Sequence, residues 1–511
     1  MKKWMASLGV LASLFYAFSS ATAAGATTGA NAAAAAHIRS FESTSLIKTD
    51  GTYWTWGGNQ SVPTQVEGIS NAADSFGDIQ ESDLFVVKQD RSVLFLSQDN
   101  PSSRIKAEPF EGLKDLVDVR RIRNTIAALD AGGKVFSAEI NDGANRLGSF
   151  IPVTGLDNVS MMDNYYEIIL PNYDYIPRWL FLKTDGTVWT NQDEKLQSFV
   201  PVQYLQDITS VSGNLALKKD GTVWTLPEQL TRQNGPGAEL SARKLDSLSN
   251  IKMIKAAGNA RLAVDGQARL WFWGATVTGF SDGTTYHNQD SPVLLTKVKD
   301  VKDAFVVERS LIVLTQAGQV FETSLQLEKL PGSADFKLVS TNVDKIKAGG
   351  RHIIMQKKDG SLWGWGVNKN GKLGSGDYEF MHAAPVPVQK PVSVHVNGDW
   401  IPLNNGVITR DGQSFVPLRS VFEQLGARIT FDETSKTATI ERTKTGSEKI
   451  TIRIDFKTSE TWLSGKIVKL SQKPFSVNGV SYLPLRLISE SLGAKVEWNA
   501  QSDDISITLA K

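Results

Sequence analysis

The stretch LFLKTDGTVWT at 180–190 sets two apolar runs on either side of an Asp185-Gly186 pair. Asp-Gly between alternating apolar segments marks a β-hairpin, because the tight turn needs a positive φ that glycine adopts without steric cost. The unit recurs as SLIKTDGTYWTW at 45–56, LALKKDGTVWTL at 215–226 and HIIMQKKDGSLWGWG at 352–366. Aligned on the position that follows the turn, the copies fall at Trp54, Leu94, Phe136, Trp189, Trp224, Trp271, Phe321 and Trp363, each preceded by an apolar residue. The steps are 40, 42, 53, 35, 47, 50 and 42 residues. Their mean of about 44 falls in the range of one propeller blade. A weaker signature lies between hairpins, an apolar stretch around Pro or Gly such as VPTQVEGIS, FIPVTGLDNV or VDKIKAGG. One hairpin cannot bury its own apolar face, so the copies must stack, and all-β units of this length stack by closing into a ring.

The expected fold is therefore mainly β, a seven- or eight-bladed β-propeller over 37–390. Eight hairpins alternate with seven full connecting signatures, and the last is followed only by VPVQ at 386–389. The count is seven if one weak copy, 84–96 or 311–321, is absorbed elsewhere. A short extra segment, 37–41, precedes the first hairpin. Closure is expected by this segment filling the last blade's missing strand.

Hairpins of the form TDGTVWTWG with intervening VxGLxxV-like strands resemble the repeats of the regulator-of-chromosome-condensation family, over about 350 residues. The resemblance implies a propeller and leaves function open, since such propellers include a nucleotide-exchange factor, ubiquitin-ligase partners and a β-lactamase-inhibitory protein. An exchange factor needs an intracellular GTPase and chromatin. Two features of the chain argue against that role: a net charge of +1 gives no field to attract nucleic acid, and the N-terminus reads as an export signal. There Lys2 and Lys3 precede an apolar run from about Trp4 to Phe18 and the small residues Ala21-Thr22-Ala23, so 1–23 is read as a signal peptide and 24–36 as a disordered Ala/Gly/Thr leader. The apolar run is too short for a stable membrane span. The 511 residues contain no cysteine and five histidines, which excludes disulfides and thiol chemistry and leaves imidazole chemistry thinly supplied.

Tryptophans invite a carbohydrate-stacking reading, but Trp54 and Trp56, Trp271 and Trp273, and Trp363 and Trp365 alternate at i and i+2. Each pair therefore shares one face of its strand, where the next blade packs. The turn aspartates Asp50, Asp185, Asp220 and Asp359 serve their turns, and no dense oxygen-ligand loop marks a metal site. The 53-residue step is different. It holds NYYEIILPNYDYIPRW at 164–179, some ten residues beyond the usual spacing. Tyr173, Tyr175, Arg178 and Trp179 are taken as a binding surface, since Tyr, Trp and Arg dominate recognition patches; the alternative is an extra strand packed on its own blade. A second excursion, 275–290, reads as a surface loop.

After PVPVQKPV at 385–392 the pattern changes. DGQSFVPLRSVFEQLGARITFDETSKTATIE at 411–441 repeats without gaps, at an offset of 67, as NGVSYLPLRLISESLGAKVEWNAQSDDISIT at 478–508. Each half reads as a short strand, a proline at the first helical position, a helix over 418–425 or 485–492, a glycine C-cap at Gly426 or Gly493, and two further strands. This duplicated α+β module, 392–511, resembles the copper amine oxidase N-terminal-like domain. Oxidase chemistry is not implied, because that chemistry requires three copper-binding histidines and a quinone-forming tyrosine, and only His395 lies here. Arg419 and Arg486 could pair as anion binders, but their equivalent places at a helix start favour a structural role, and they are expected to bond to loop carbonyls.

These readings together predict a non-catalytic, monomeric, secreted or cell-surface binding protein without metal or cofactor. Its partner would be an extracellular protein or a cell-wall component, with the propeller as interaction disc and the module associated with the envelope. Two alternatives are inhibition of an extracellular enzyme and a polysaccharide hydrolase built on paired carboxylates.

Overall fold

The computed structural model describes residues 38–77, 84–98, 104–141, 146–171, 173–231, 241–279, 283–443, 449–470 and 472–509. The signal and leader readings lie outside these residues. The described chain from Ile38 onward belongs to one compact unit. Among the described residues, no helix is long and apolar enough to cross a membrane.

Eight sheets follow one another along the chain, in residues 38–65, 72–114, 116–152, 159–201, 208–244, 251–295, 301–340 and 343–387. They are numbered here as blades 1 to 8. Both weak copies, 84–96 and 311–321, form the central hairpins of full blades, so the described residues form eight blades.

The repeat signature has a chemical basis. At each well-formed turn the aspartate Oδ1 accepts the N–H and the hydroxyl of the Thr or Ser two residues on, at 2.9 and 2.7 Å for Asp185 and Thr187. That hydroxyl oxygen in turn accepts the indole N–H of the following tryptophan: Trp54, Trp189, Trp224 and Trp363 donate at 2.9, 3.3, 3.2 and 3.1 Å. Lys48, Lys183, Lys218 and Lys357 lie over the same four rings, a cation–π contact that also shields the indole. The turn glycine has a second duty, because its carbonyl accepts the N–H of the first buried residue of the next blade. Gly51 does so with Ala72, Gly186 with Ile208 and Gly221 with Ile251. A Cβ at Gly51 would lie 2.5 Å from the carbonyl oxygen of Ser70, so at this turn only glycine fits.

Side chains then fill the space between blades. Separate buried apolar clusters join blades 1 and 2, 2 and 3, 3 and 4, 4 and 5, 5 and 6, 6 and 7, and 7 and 8. An eighth cluster closes the ring, packing Phe41, Leu46, Trp54 and Trp56 of blade 1 against Ile354, Leu362, Leu373 and Val388. The Trp56 indole N–H reaches the Lys372 carbonyl at 2.9 Å, and Lys347 pairs with Glu42 at 2.6 Å.

This corrects the expected mode of closure. The segment Ile38–Phe41 pairs with Ser45–Lys48 inside blade 1, and blade 8 has its own fourth strand, Met381–Pro387. The ring is sealed by packing of two complete sheets and not by a shared strand.

The C-terminal module has a single apolar core beneath three sheets and two short helices, α1 (Leu418–Phe422) and α2 (Leu485–Ser491). Both helices are shorter than the apolar spacing predicts. Their prolines sit one position earlier than expected: Pro417 and Pro484 have ψ of 125° and 113°, so each ends its strand and stands just outside the helix. Gly426 and Gly493 follow with φ of 74° and 83°, the left-handed stop that the sequence predicts. The central strands Gln413–Pro417 and Val480–Pro484 pair antiparallel, with Val416 opposite Leu483. These two residues are each other's counterparts at the offset of 67, so a local two-fold axis passes between them.

The module packs on the outer strand of blade 1. Val62, Ile408, Phe415, Val477 and Tyr482 form a shared buried cluster. Asn405 Nδ2 donates to Ser61 Oγ at 3.0 Å, the Gly406 N–H to Thr64 Oγ1 at 2.8 Å, and the Trp400 indole N–H to Gln65 Oε1 at 2.8 Å. A strand edge otherwise open to pairing with another chain is thereby covered.

Candidate interaction surface

The ten residues inserted in blade 4 lengthen a hairpin. Val159–Leu170 and Asp174–Lys183 pair continuously from Met161 opposite Leu182 to Ile169 opposite Asp174, far beyond the length of neighbouring hairpins. The distal end forms a crest, and its neighbours brace it. Ile168–Leu170 pair in parallel with Gln229–Thr231 from the blade 5 excursion, and the Ile168 N–H reaches the Glu228 carbonyl at 2.7 Å. From blade 3, the Arg123 guanidinium donates to the Tyr175 carbonyl and lies 5.8 Å from the Tyr166 ring centre. The rings of Tyr166 and Tyr175 meet edge to face at 6.0 Å. A crest fixed in this way loses little conformational entropy on binding.

The four residues singled out from the sequence divide into two pairs. Tyr173 and Tyr175 are 63% and 51% exposed. Arg178 and Trp179 are 3% and 0% exposed, so a partner cannot touch them without opening the blade. The reason is strand alternation at the base of the hairpin: Trp179 enters the cluster between blades 3 and 4, stacked 6.1 Å from Phe181. Arg178 takes the other face, where its Nε meets Glu167 Oε2 at 2.6 Å and its Nη1 donates to the Asn191 carbonyl at 2.6 Å. The Asn191 side chain closes the group by accepting the Trp179 N–H at 2.8 Å. Burial pushes the Glu167 carboxyl above its ordinary range, with Arg178 opposing the shift, and pushes the Tyr165 phenol well up. Tyr166, exposed beside Tyr175, and the bracing Arg123 complete the surface. Sequence reading passed over Arg123 because it lies on a different blade, 52 residues from Tyr175.

The ring's centre carries the other concentration of charge. First strands place Asp118, Arg120, Asp163, Lys255, Asp303 and Lys347 there, at positions that do not enter the inter-blade clusters, and Glu42 directly follows the first strand of blade 1. The groups are matched: Arg120 with Asp118 at 3.1 Å, Lys347 with Glu42 at 2.6 Å, and Lys255 with Asp303. Asp163 Oδ2 accepts the Gly213 N–H at 2.9 Å. Burial holds the Asp118 and Glu42 carboxyls above their ordinary range despite these partners. Among the described residues, no group of three or more His, Asp or Glu side chains is disposed to hold a metal ion.

Eight sheets among the described residues, six of four strands and two of five, closed in a ring, define a β-propeller bearing a second, α+β module. Family models match a segment of the propeller and most of the module. Residues 359–398 match the family model of the regulator of chromosome condensation (RCC1) repeat, and residues 395–507 match that of the copper amine oxidase N-terminal domain. No curated protein matches the chain. Similar solved structures include yeast RCC1 (Prp20) in its complex with Kap60, 17% identical over 56% of this chain and 78% of that chain, with a TM-score of 0.39. Human WBSCR16 is 17% identical over 65% and 85% of the two chains, with a TM-score of 0.38. Prp20p from Saccharomyces cerevisiae is 13% identical over 69% and 90%, with a TM-score of 0.40.

Proposed function

We propose that this chain is an exported, non-catalytic binding protein whose propeller engages an extracellular protein or a cell-wall component through the blade 4 crest. The observation that carries the reading is the pair of exposed tyrosines, Tyr173 and Tyr175, on a hairpin braced by Arg123 and by the strand Gln229–Thr231. A rigid aromatic projection is what hot-spot energetics favour. The proposal of export rests on the sequence of residues 1–23.

The test is capture from the producer's secreted proteins and purified wall by the mature chain and by Tyr173→Ala/Tyr175→Ala. Loss of capture with an unchanged melting temperature supports the crest. Capture equal to the parent chain rejects it. The shape of the crest also favours the inhibitor reading, since a stiff hairpin standing beyond its neighbours can enter an enzyme's cleft. That reading predicts capture of one soluble enzyme at a one-to-one ratio.

A further inference from the structure

The module's internal duplication produces two clefts, of about 560 and about 770 Å³, within the size range of small-molecule sites. They are counterparts at the offset of 67. The first is lined by Pro417, Leu418, Arg419 and Phe431 with Ser476 and Ser481 of the other half. The second is lined by Pro484, Leu485, Arg486 and Trp498 with Thr409 and Ser414. Each cleft thus takes its helix start and aromatic from one half and its hydroxyls from the other, as the antiparallel pairing across Val416 and Leu483 requires.

Folding explains the prolines, which end strands, and the apolar leucines, which enter the core. It does not explain the arginines. Arg419 and Arg486 are exposed, and among the described residues neither side chain makes a hydrogen bond or an ion pair, contrary to the loop-carbonyl role expected from sequence. The first cleft is cationic in excess, Lys436 and Lys457 joining Arg419 against Glu433; in the second, Lys390 is paired with Asp503, and Lys469 and Arg486 balance Glu490 and Glu497. Each cleft therefore offers an unengaged guanidinium, an aromatic wall and a pair of hydroxyls.

We infer that the module has two equivalent binding sites for an acidic oligosaccharide, a sugar chain carrying carboxylates on its rings. The carboxylate would meet the planar guanidinium of Arg419 or Arg486 with two parallel hydrogen bonds. The apolar face of the ring would lie on Phe431 or Trp498. Ser476 and Ser481, or Thr409 and Ser414, would serve the ring hydroxyls. An acidic peptide would satisfy the arginine but leaves the aromatic wall and the hydroxyls without a matching group.

The experiment is isothermal titration of the full mature chain with trigalacturonate, with maltotriose and triglutamate as controls. The expected result is two sites per chain for trigalacturonate and a much weaker response to both controls. Arg419→Ala and Arg486→Ala should each leave one site, with at least about tenfold loss at the altered cleft, the scale of one lost charge-assisted contact. The double variant should bind none at an unchanged melting temperature. Tyr173→Ala/Tyr175→Ala should leave this titration intact, which separates the inference from the crest. Equal binding of maltotriose, equal or stronger binding of triglutamate, or binding indifferent to both arginines would overturn it.

Discussion

The buried pair of Glu167 and Arg178 should decide whether the crest is presented at all. Both side chains are almost wholly excluded from solvent, with 2.6 Å between Nε and Oε2. Removing one member strands a charge in a low-dielectric setting, which costs about 3–5 kcal/mol, whereas replacing both by apolar groups of similar size is close to neutral. Arg178→Met should therefore lower the melting temperature by roughly 3–10 °C, taking about 1–2 °C per kcal/mol in a chain of this size. It should also abolish crest-dependent capture, because Arg178 ties the hairpin to the Asn191 carbonyl. Glu167→Leu/Arg178→Met should recover most of the lost stability. The assay is a double-mutant cycle by thermal or chemical unfolding, and a coupling energy of at least about 2 kcal/mol is expected for groups in direct contact. If the double variant is no more stable than Arg178→Met alone, the pair is not a coupled unit and the explanation of the crest's rigidity fails.

Other expectations concern closure, docking and pH. Trp56→Ala should cost about 3–5 kcal/mol through loss of the packed indole, while Trp56→Phe, which loses the bond to the Lys372 carbonyl, should cost about 1 kcal/mol; chemical denaturation measures both. Gly406→Ala would set a methyl 2.2 Å from the Pro63 carbonyl oxygen, so limited proteolysis should release the module faster than from the parent chain. Hydrogen bonds from Thr187, Thr222 and Ser361 hold the carboxyls of Asp185, Asp220 and Asp359 below their usual value of 3.8. A lowered carboxyl stabilises above its unfolded pKa and loses that contribution as pH falls through its folded one. The melting temperature should therefore drop below about pH 4, and Thr187→Val/Thr222→Val should make that acid limb shallower. Glu167 acts in the opposite sense: its raised pKa favours the fold at low pH and loses that contribution as pH rises, and Glu167→Gln should remove this part of the slope.

What the sequence made legible was whatever a local rule governs. Asp-Gly turns followed by Thr-x-Trp are self-contained hydrogen-bonded units, so Asp50, Asp185, Asp220 and Asp359 announce their hairpins, and even Asp90 with Arg91 at φ 69° is an imitation without glycine. The duplication was equally plain, because Gly426 and Gly493 meet the same backbone requirement. Closure was misread because both ends of the ring look incomplete in one dimension, and the contacts between Trp56 and Leu373 span more than three hundred residues. Arg178 and Trp179 were misplaced for a different reason. Composition marks them as recognition residues, and only the register of a hairpin with twelve residues in its first strand shows that both point inward. The solitude of Arg419 and Arg486 is likewise a three-dimensional fact.

The sealing of the ring has a mechanical consequence. Without a strand common to first and last sheets, the seam between blades 8 and 1 is the place where an opening load would act. The module begins a few residues after Pro387 and grips Ser61, Thr64 and Gln65 on the far side of that seam. It works as the clasp of a necklace: tension along the chain meets a second fastening on blade 1, and a disc so fastened can bear a partner's pull as one body.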